Sequence, residues 1–233
     1  MKITTNNAIV GELTKLNPDV IKVVLITDKK INFLAGQYFD IKYKGFEYRS
    51  FSIANMPGTN QLEFHIRLID SGEFTHFIFE KLKLGDSVKI NGPKGDFYLR
   101  DGDKDILFVA GGTGIAPIKS IIEGLIASKD KRNITFYWGV RNECDLYSNL
   151  PKKWQQLANI TYIPVLSENQ KWQGKSGFVH NAILEDIDNF NNYSVYACGP
   201  PIMAESVATS FVTKGMKKDH FYSDSFSFNS RNK

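Results

Sequence analysis

The sequence predicts two domains in series, an antiparallel β-barrel followed by an α/β domain built on a parallel sheet. Three observations carry that expectation. Up to about residue 100, short runs of alternating apolar and polar residues are separated by glycine and proline turns, the pattern of half-buried antiparallel strands. Beyond the polar connector Arg100-Asp101-Gly102-Asp103-Lys104-Asp105, apolar strand-like runs alternate with stretches of helical periodicity, as in a parallel sheet covered on both faces. The 233 residues suffice for two domains of about 100 residues, each with its own core. The expected boundary assigns residues 1–101 to the barrel and 102–233 to the α/β domain.

In the first half, Ile21–Ile26, Tyr38–Tyr43, Leu62–Arg67 and Ser87–Ile90 read as strands, with turns at Lys44-Gly45, Pro57-Gly58 and Gly92-Pro93. Many short strands joined in this way suggest a small barrel. Glu73–Leu82 breaks the rhythm, because Phe74, Phe77, Ile78 and Leu82 recur at helical spacing; this helix is expected to plug the barrel. In the second half, Ile106–Ala110, Ile134–Trp138, Ile160–Val165 and Tyr193–Ala197 read as strands, and Ile118–Ala127 and Ile202–Thr213 as helices. The polar tail Phe228–Lys233 is expected to fray.

Composition narrows the function. With 42% hydrophobic and 23% charged residues, the chain has the balance of a soluble globular protein. A net charge of +4, with lysines interspersed among acids, gives nucleic-acid binding little support. The first 30 residues lack a secretory signal, and no apolar run approaches the roughly 20 residues needed to span a bilayer. A cytoplasmic protein without membrane insertion is expected. Cys144 and Cys198 are too few for a disulfide framework, and the four histidines do not combine with them at metal-ligand spacing, so no metal site is expected.

The segment Ala110-Gly111-Gly112-Thr113-Gly114-Ile115-Ala116-Pro117 follows an apolar strand and opens a helix. Glycines permit tight turns and close approach of main chain to a ligand, while a helix start presents N–H groups and partial positive charge. Pro117 suits the first helical turn. The spacing is not G-x-G-x-x-G, and a dinucleotide, another phosphate ligand and a plain tight turn all fit this segment taken alone. Tyr48-Arg49-Ser50-Phe51-Ser52-Ile53-Ala54-Asn55 is the second informative stretch. Arg49 can grip a phosphate, Phe51 can stack on a planar ring and Ser52 can donate to a ring nitrogen, yet taken alone a barrel strand with a solvated arginine and a core phenylalanine is the better reading.

The combination is more specific than its parts. Arg49-Ser50-Phe51-Ser52 is preceded by Gly36-Gln37-Tyr38 and followed by Gly72-Glu73-Phe74-Thr75, Gly92-Pro93-Lys94-Gly95-Asp96-Phe97, Gly111-Gly112-Thr113-Gly114 and Cys198-Gly199-Pro200-Pro201. In this order, over nearly the whole chain, the set resembles the ferredoxin-NADP reductase superfamily. It looks closest to the reductase part of CDP-6-deoxy-glucoseen reductases and oxygenase reductases, without their fused ferredoxin domain, and is similar to NAD(P)H-flavin reductases.

That resemblance implies an FAD-binding barrel followed by an NAD(P)H-binding α/β domain. It places Arg49 and Ser50 at the flavin, Arg49 on its phosphate, Phe51 on the isoalloxazine face and the Ser52 hydroxyl at flavin N5. Phe51 stands where many relatives have tyrosine, so a phenolic hydrogen bond to the ribityl chain is lost. Gly72 and Thr75 would offer N–H groups and a hydroxyl to the FAD pyrophosphate. Gly111, Gly112, Thr113 and Gly114 would hold the pyrophosphate of NADH or NADPH, and Cys198, with Gly199 and Pro200, would stand beside the nicotinamide in a positioning role. Arg141 is a candidate for a 2′-phosphate, Phe226 for the terminal aromatic residue near the flavin, and Asp224 for a hydrogen bond or proton near the reacting rings.

The residues taken as catalytic are therefore Ser52, Cys198 and Phe226. The implied activity is hydride transfer from NADH or NADPH to FAD, mainly by positioning, with free flavin as the leading acceptor. The alternative is an electron-transfer component serving a separate, small iron–sulfur protein. A dihydroorotate dehydrogenase subunit would carry a cysteine-rich C-terminus, which this sequence lacks. A nucleotide-binding module without catalysis does not account for both sets of motifs.

Overall fold

The structure is a computed structural model and describes residues 2–157, 159–169 and 171–224. The chain divides into two units. One holds the described residues up to Leu99 together with Lys119–Ser128, and the other holds Arg100–Ile118 and the described residues from Lys129 on.

The first unit is built from β1 (Thr4–Asn17), β2 (Val20–Ile26), β3 (Tyr38–Lys42), β4 (Arg49–Ser52), β5 (Gln61–Arg67), α1 (Glu73–Lys81) and β6 (Ser87–Lys94). The strands lie in the order β4-β3-β6-β1-β2-β5, and every pairing is antiparallel. A bridge from Ile53 to Phe64 on β5 joins the two edges, so the sheet closes into a barrel. Closure removes the free edges that an open sheet exposes. Along β5 the apolar Leu62, Phe64 and Ile66 are buried as the alternation predicts, while His65 between the last two is buried as well. Helix α1 sets Phe74 and Ile78 into the core formed by Phe39, Ile53, Phe64 and Ile90, and so acts as the expected plug.

Two departures have physical causes. The longest strand, β1, escapes the apolar pattern because Ala8 and Val10 are its fully buried positions and most of the rest faces water. The turn expected at Gly92-Pro93 is instead part of β6, where Gly92 pairs with Thr4. The Phe39 ring lies over Gly92, and a Cβ there would stand 2.6 Å from its Cδ1, so this glycine answers a close approach within a strand.

The second unit is built from β7 (Asp105–Gly111), the start of α2 (Ile115–Ser128), β8 (Ile134–Val140), α3 (Leu150–Trp154), β9 (Ile160–Leu166), β10 (Lys175–Ser176), α4 (Val179–Asp186), β11 (Tyr193–Cys198), α5 (Pro201–Thr213) and β12 (Phe221–Ser223). Its sheet runs β10-β9-β8-β7-β11-β12 and is parallel throughout. Ile106 to Ala110 of β7 are fully buried, as expected of a central strand covered on both faces. Helix α2 begins at Ile115, three residues before the apolar periodicity starts, so that Pro117 falls in its first turn. Helix α4 is short, and its buried residues are Val179, Ala182 and Ile183, too brief a pattern to announce a helix. No helix among the described residues is long and apolar enough to cross a membrane.

Candidate functional site

In the second unit the strand order reverses at β7, with β8 and β9 on one side and β11 and β12 on the other. Open α/β sheets bind ligands at such a switch point, beyond the carboxyl ends of the diverging strands. The two glycine motifs meet there. β7 ends at Gly111 and passes through the 3₁₀ turn Gly112–Gly114 into α2, while β11 ends at Cys198 and passes through Gly199 and Pro200 into α5. Cys198 pairs with Ala110 in register. A Cβ on Gly114 would lie 2.0 Å from the Cys198 carbonyl oxygen, and one on Gly111 would lie 2.5 Å from Met203 Sδ. The two turns therefore touch backbone to backbone, which a larger residue forbids.

Gly112 adopts φ +53°, and its carbonyl accepts a 2.9 Å hydrogen bond from Trp138 Nε1, which fixes the turn from the side of β8. The result is a bare main-chain cradle faced by the N-terminal ends of α2 and α5. Such a cradle fits the pyrophosphate of a dinucleotide, because close backbone approach and helix N–H groups are what that group requires.

Cys198 is buried, and its Sγ lies 3.9 Å from Asp224 Oδ2. Burial, reinforced by the Asp224 carboxylate, pushes the thiol well above its ordinary value, so it is neutral near pH 7. A neutral thiol is a poor nucleophile, which favours positioning over covalent attack. Asp224 is buried as well. Phe226 lies outside the described residues, as does the tail Phe228–Lys233. Arg141 follows β8 on the surface, where its Nε lies 3.6 Å from Glu168 Oε1.

In the first unit, β4 carries Arg49, Ser50, Phe51 and Ser52. Arg49 is exposed, and its Nη1 donates to the Tyr48 carbonyl at 3.2 Å. The Phe51 ring stacks on Phe74 of α1, with centroids 6.0 Å apart and planes 22° from parallel. β4 and the start of α1 are thereby held together. Ser50 Oγ donates to Asp40 Oδ1 at 2.5 Å, and Lys94 Nζ donates to Asp40 Oδ2 at the same distance, so the Ser50 hydroxyl anchors its own strand. Thr75 Oγ1 accepts from the Ile69 N–H at 3.1 Å and donates to the Gly72 carbonyl at 2.9 Å. That hydroxyl stitches the loop onto α1, and the helix start has no side-chain cap.

A polar cluster behind β4 is invisible to motif reading. Lys119, on α2, is buried, and its ammonium reaches the Ala54 carbonyl at 3.0 Å, Glu123 Oε1 at 3.0 Å and Glu63 Oε1 at 3.3 Å. His65 Nε2 lies 2.8 Å from the same Glu63 oxygen. Burial alone would raise the Glu63 carboxyl, but the His65 ring and the Lys119 ammonium outweigh it and hold the group at about 2. The Lys119–Glu123 spacing of four was the available signal, since an i,i+4 pair within an apolar helix marks one face.

Two domain families match the chain. The oxidoreductase FAD-binding domain matches residues 7–98, and the oxidoreductase NAD-binding domain matches residues 108–209. The chain belongs to the ferredoxin reductase family. Its two halves are the FAD-binding and NAD(P)-binding domains of such an oxidoreductase. Protein RfbI of Salmonella typhimurium is 44% identical over 199 residues, which cover 84% of this chain and 60% of RfbI. The CDP-6-deoxy-L-threo-D-glycero-4-hexulose-3-dehydrase reductase of Yersinia pestis is 42% identical over 200 residues, again 84% of this chain and 60% of the relative. The chain thus spans about 60% of the length of these curated relatives. Among solved structures, the Amycolatopsis cytochrome P450 reductase GcoB superposes with a TM-score of 0.90 at 29% identity, over 95% of this chain and 69% of GcoB.

Proposed function

We propose that this chain is the flavin and nicotinamide part of an electron-transfer reductase, which takes hydride from NAD(P)H and passes electrons to an iron–sulfur centre outside these residues. The observation that carries the reading is the likeness, above 40% identity, to the reductase of a deoxysugar dehydrase. It favours this acceptor over the free flavin that the motifs alone put first. The 233 residues contain two cysteines, and no cluster of potential metal ligands occurs among the described residues, so the centre must be supplied by other residues.

In this reading the glycine cradle holds the nicotinamide nucleotide by its pyrophosphate through main-chain N–H groups and the α2 and α5 helix ends. Cys198, neutral and backed by Asp224, gives the nicotinamide a fixed wall. Arg49 supplies charge to the flavin phosphate, Phe51 an apolar face braced by Phe74, and Ser52 a hydroxyl at the reacting nitrogen. When bound, FAD accepts a hydride and releases electrons singly. The protein contributes orientation and the exclusion of water.

The test is an anaerobic steady-state comparison of acceptors using FAD-loaded protein and NADH or NADPH. A small [2Fe–2S] protein should be reduced with a kcat/KM at least about tenfold above that for free FMN, a difference of about 1.4 kcal/mol in transition-state free energy. Saturable reduction of FMN with no transfer to the iron–sulfur protein would establish the flavin-reductase reading instead.

A further inference from the structure

We infer that Lys119 and Ser120 are positioning residues for the flavin strand, clamping the segment that leaves β4 so that Ser52 is held at a fixed place. The inference rests on the reading of β4 as the flavin strand. Beyond Ser52 the chain gives up regular pairing after the single Ile53 bridge, and Ala54 is fully buried. Two successive carbonyls there accept from side chains on α2: Ala54 O from Lys119 Nζ at 3.0 Å, and Asn55 O from Ser120 Oγ at 2.6 Å. From the other side, the Ala54 N–H donates to the Glu63 carbonyl at 2.7 Å and the Glu63 N–H donates to Asn55 Oδ1 at 2.8 Å. The segment is gripped by both β5 and α2.

A buried ammonium is an expensive way to hold a carbonyl unless its three donors are all used. Here they are, by Ala54, Glu63 and Glu123, and the bond from His65 secures Glu63 in turn. All these residues belong to the barrel-containing unit. Ser120, fully buried, adds the second bond one residue further along the same segment. A shift of about 1 Å in a positioning group costs rates of up to a hundredfold, so a clamp two residues from Ser52 bears directly on hydride transfer.

Lys119→Met tests the inference with three readouts. In the apoprotein, amide exchange at residues 53–56 should accelerate by about tenfold or more; on FAD binding, the visible band of the flavin should shift; and the loaded protein should be reduced by NAD(P)H about tenfold more slowly. Lys119→Arg, which keeps the cation, should recover most of each. Because Lys119→Met leaves two partly buried carboxylates without their cation, the triple variant Lys119→Met, Glu63→Gln, Glu123→Gln serves where the single one does not fold, and Ser120→Ala should give a smaller change of the same kind. Wild-type exchange, spectrum and rate in a folded 119 variant would overturn the clamp. Arg49→Ala separates this from the underlying reading: weakened FAD binding upholds β4 as the flavin strand whatever the 119 variants do, and unchanged binding removes that reading itself.

Discussion

At the scale of single residues, Cys198 shows how burial decides chemistry. Its position at the end of β11 would suit a nucleophile, but desolvation and the nearby Asp224 carboxylate keep the thiol protonated. Cys144 is the exposed cysteine. Native protein treated with iodoacetamide at pH 7 should therefore be alkylated at Cys144 and spared at Cys198, as read by peptide mass spectrometry; rapid modification of Cys198 would mean a thiolate and reopen covalent chemistry. The segment that carries Arg49, Phe51 and Ser52 could be singled out in the sequence because its order along the chain, with the glycine motifs, is distinctive. The Asp40–Ser50–Lys94 and Glu63–His65–Lys119 contacts were not, because they join residues that periodicity treats as separate surface charges. Thr75 shows the converse, a residue legible as a ligand donor whose hydroxyl is engaged by its own loop.

At the scale of elements, two glycines of neighbouring sequence behave in opposite ways. A Cβ on Gly114 meets the Cys198 carbonyl, whereas one on Gly124, inside α2, meets nothing within 4 Å. Gly114→Ala should destabilise the protein by about 3 kcal/mol and weaken NAD(P)H binding, while Gly124→Ala should stabilise it by about 0.5–1 kcal/mol. Urea unfolding and nucleotide titration of the two variants check both, and equal effects would mean the contact between the glycine turns is wrongly drawn. The strands of the parallel sheet were readable because buried central strands are continuous apolar runs. β1 and α4 were not, since one is mostly solvated and the other too short for its period to show.

The Glu63 cluster ties β5 to α2, and its charge makes that tie depend on pH. The carboxyl is held at about 2 against an ordinary 4.5. A group whose folded value is depressed adds stability that is fully present above 4.5 and is lost as the pH falls towards 2. The difference corresponds to about 3 kcal/mol. Unfolding free energies of wild type and Glu63→Gln, measured from pH 6 to pH 2, should converge by about that amount at the acid end. Parallel curves would show that the carboxylate gains nothing from His65 and Lys119.

At the scale of the whole molecule, a closed antiparallel barrel and a parallel sheet with a single reversal divide the labour between flavin and nicotinamide nucleotide. The two-part architecture was legible because the switch from alternation to strand-helix rhythm is a property of the entire sequence. The electron acceptor was not, since no residue pattern within the chain encodes it. The most direct measurement of the central claim is anaerobic mixing of FAD-loaded protein with NADH and with NADPH, followed by the absorbance of the flavin. Rapid, saturable bleaching by at least one nucleotide, slowed in Ser52→Ala with flavin still bound, is the predicted result. Bound FAD that neither nucleotide bleaches would contradict the account.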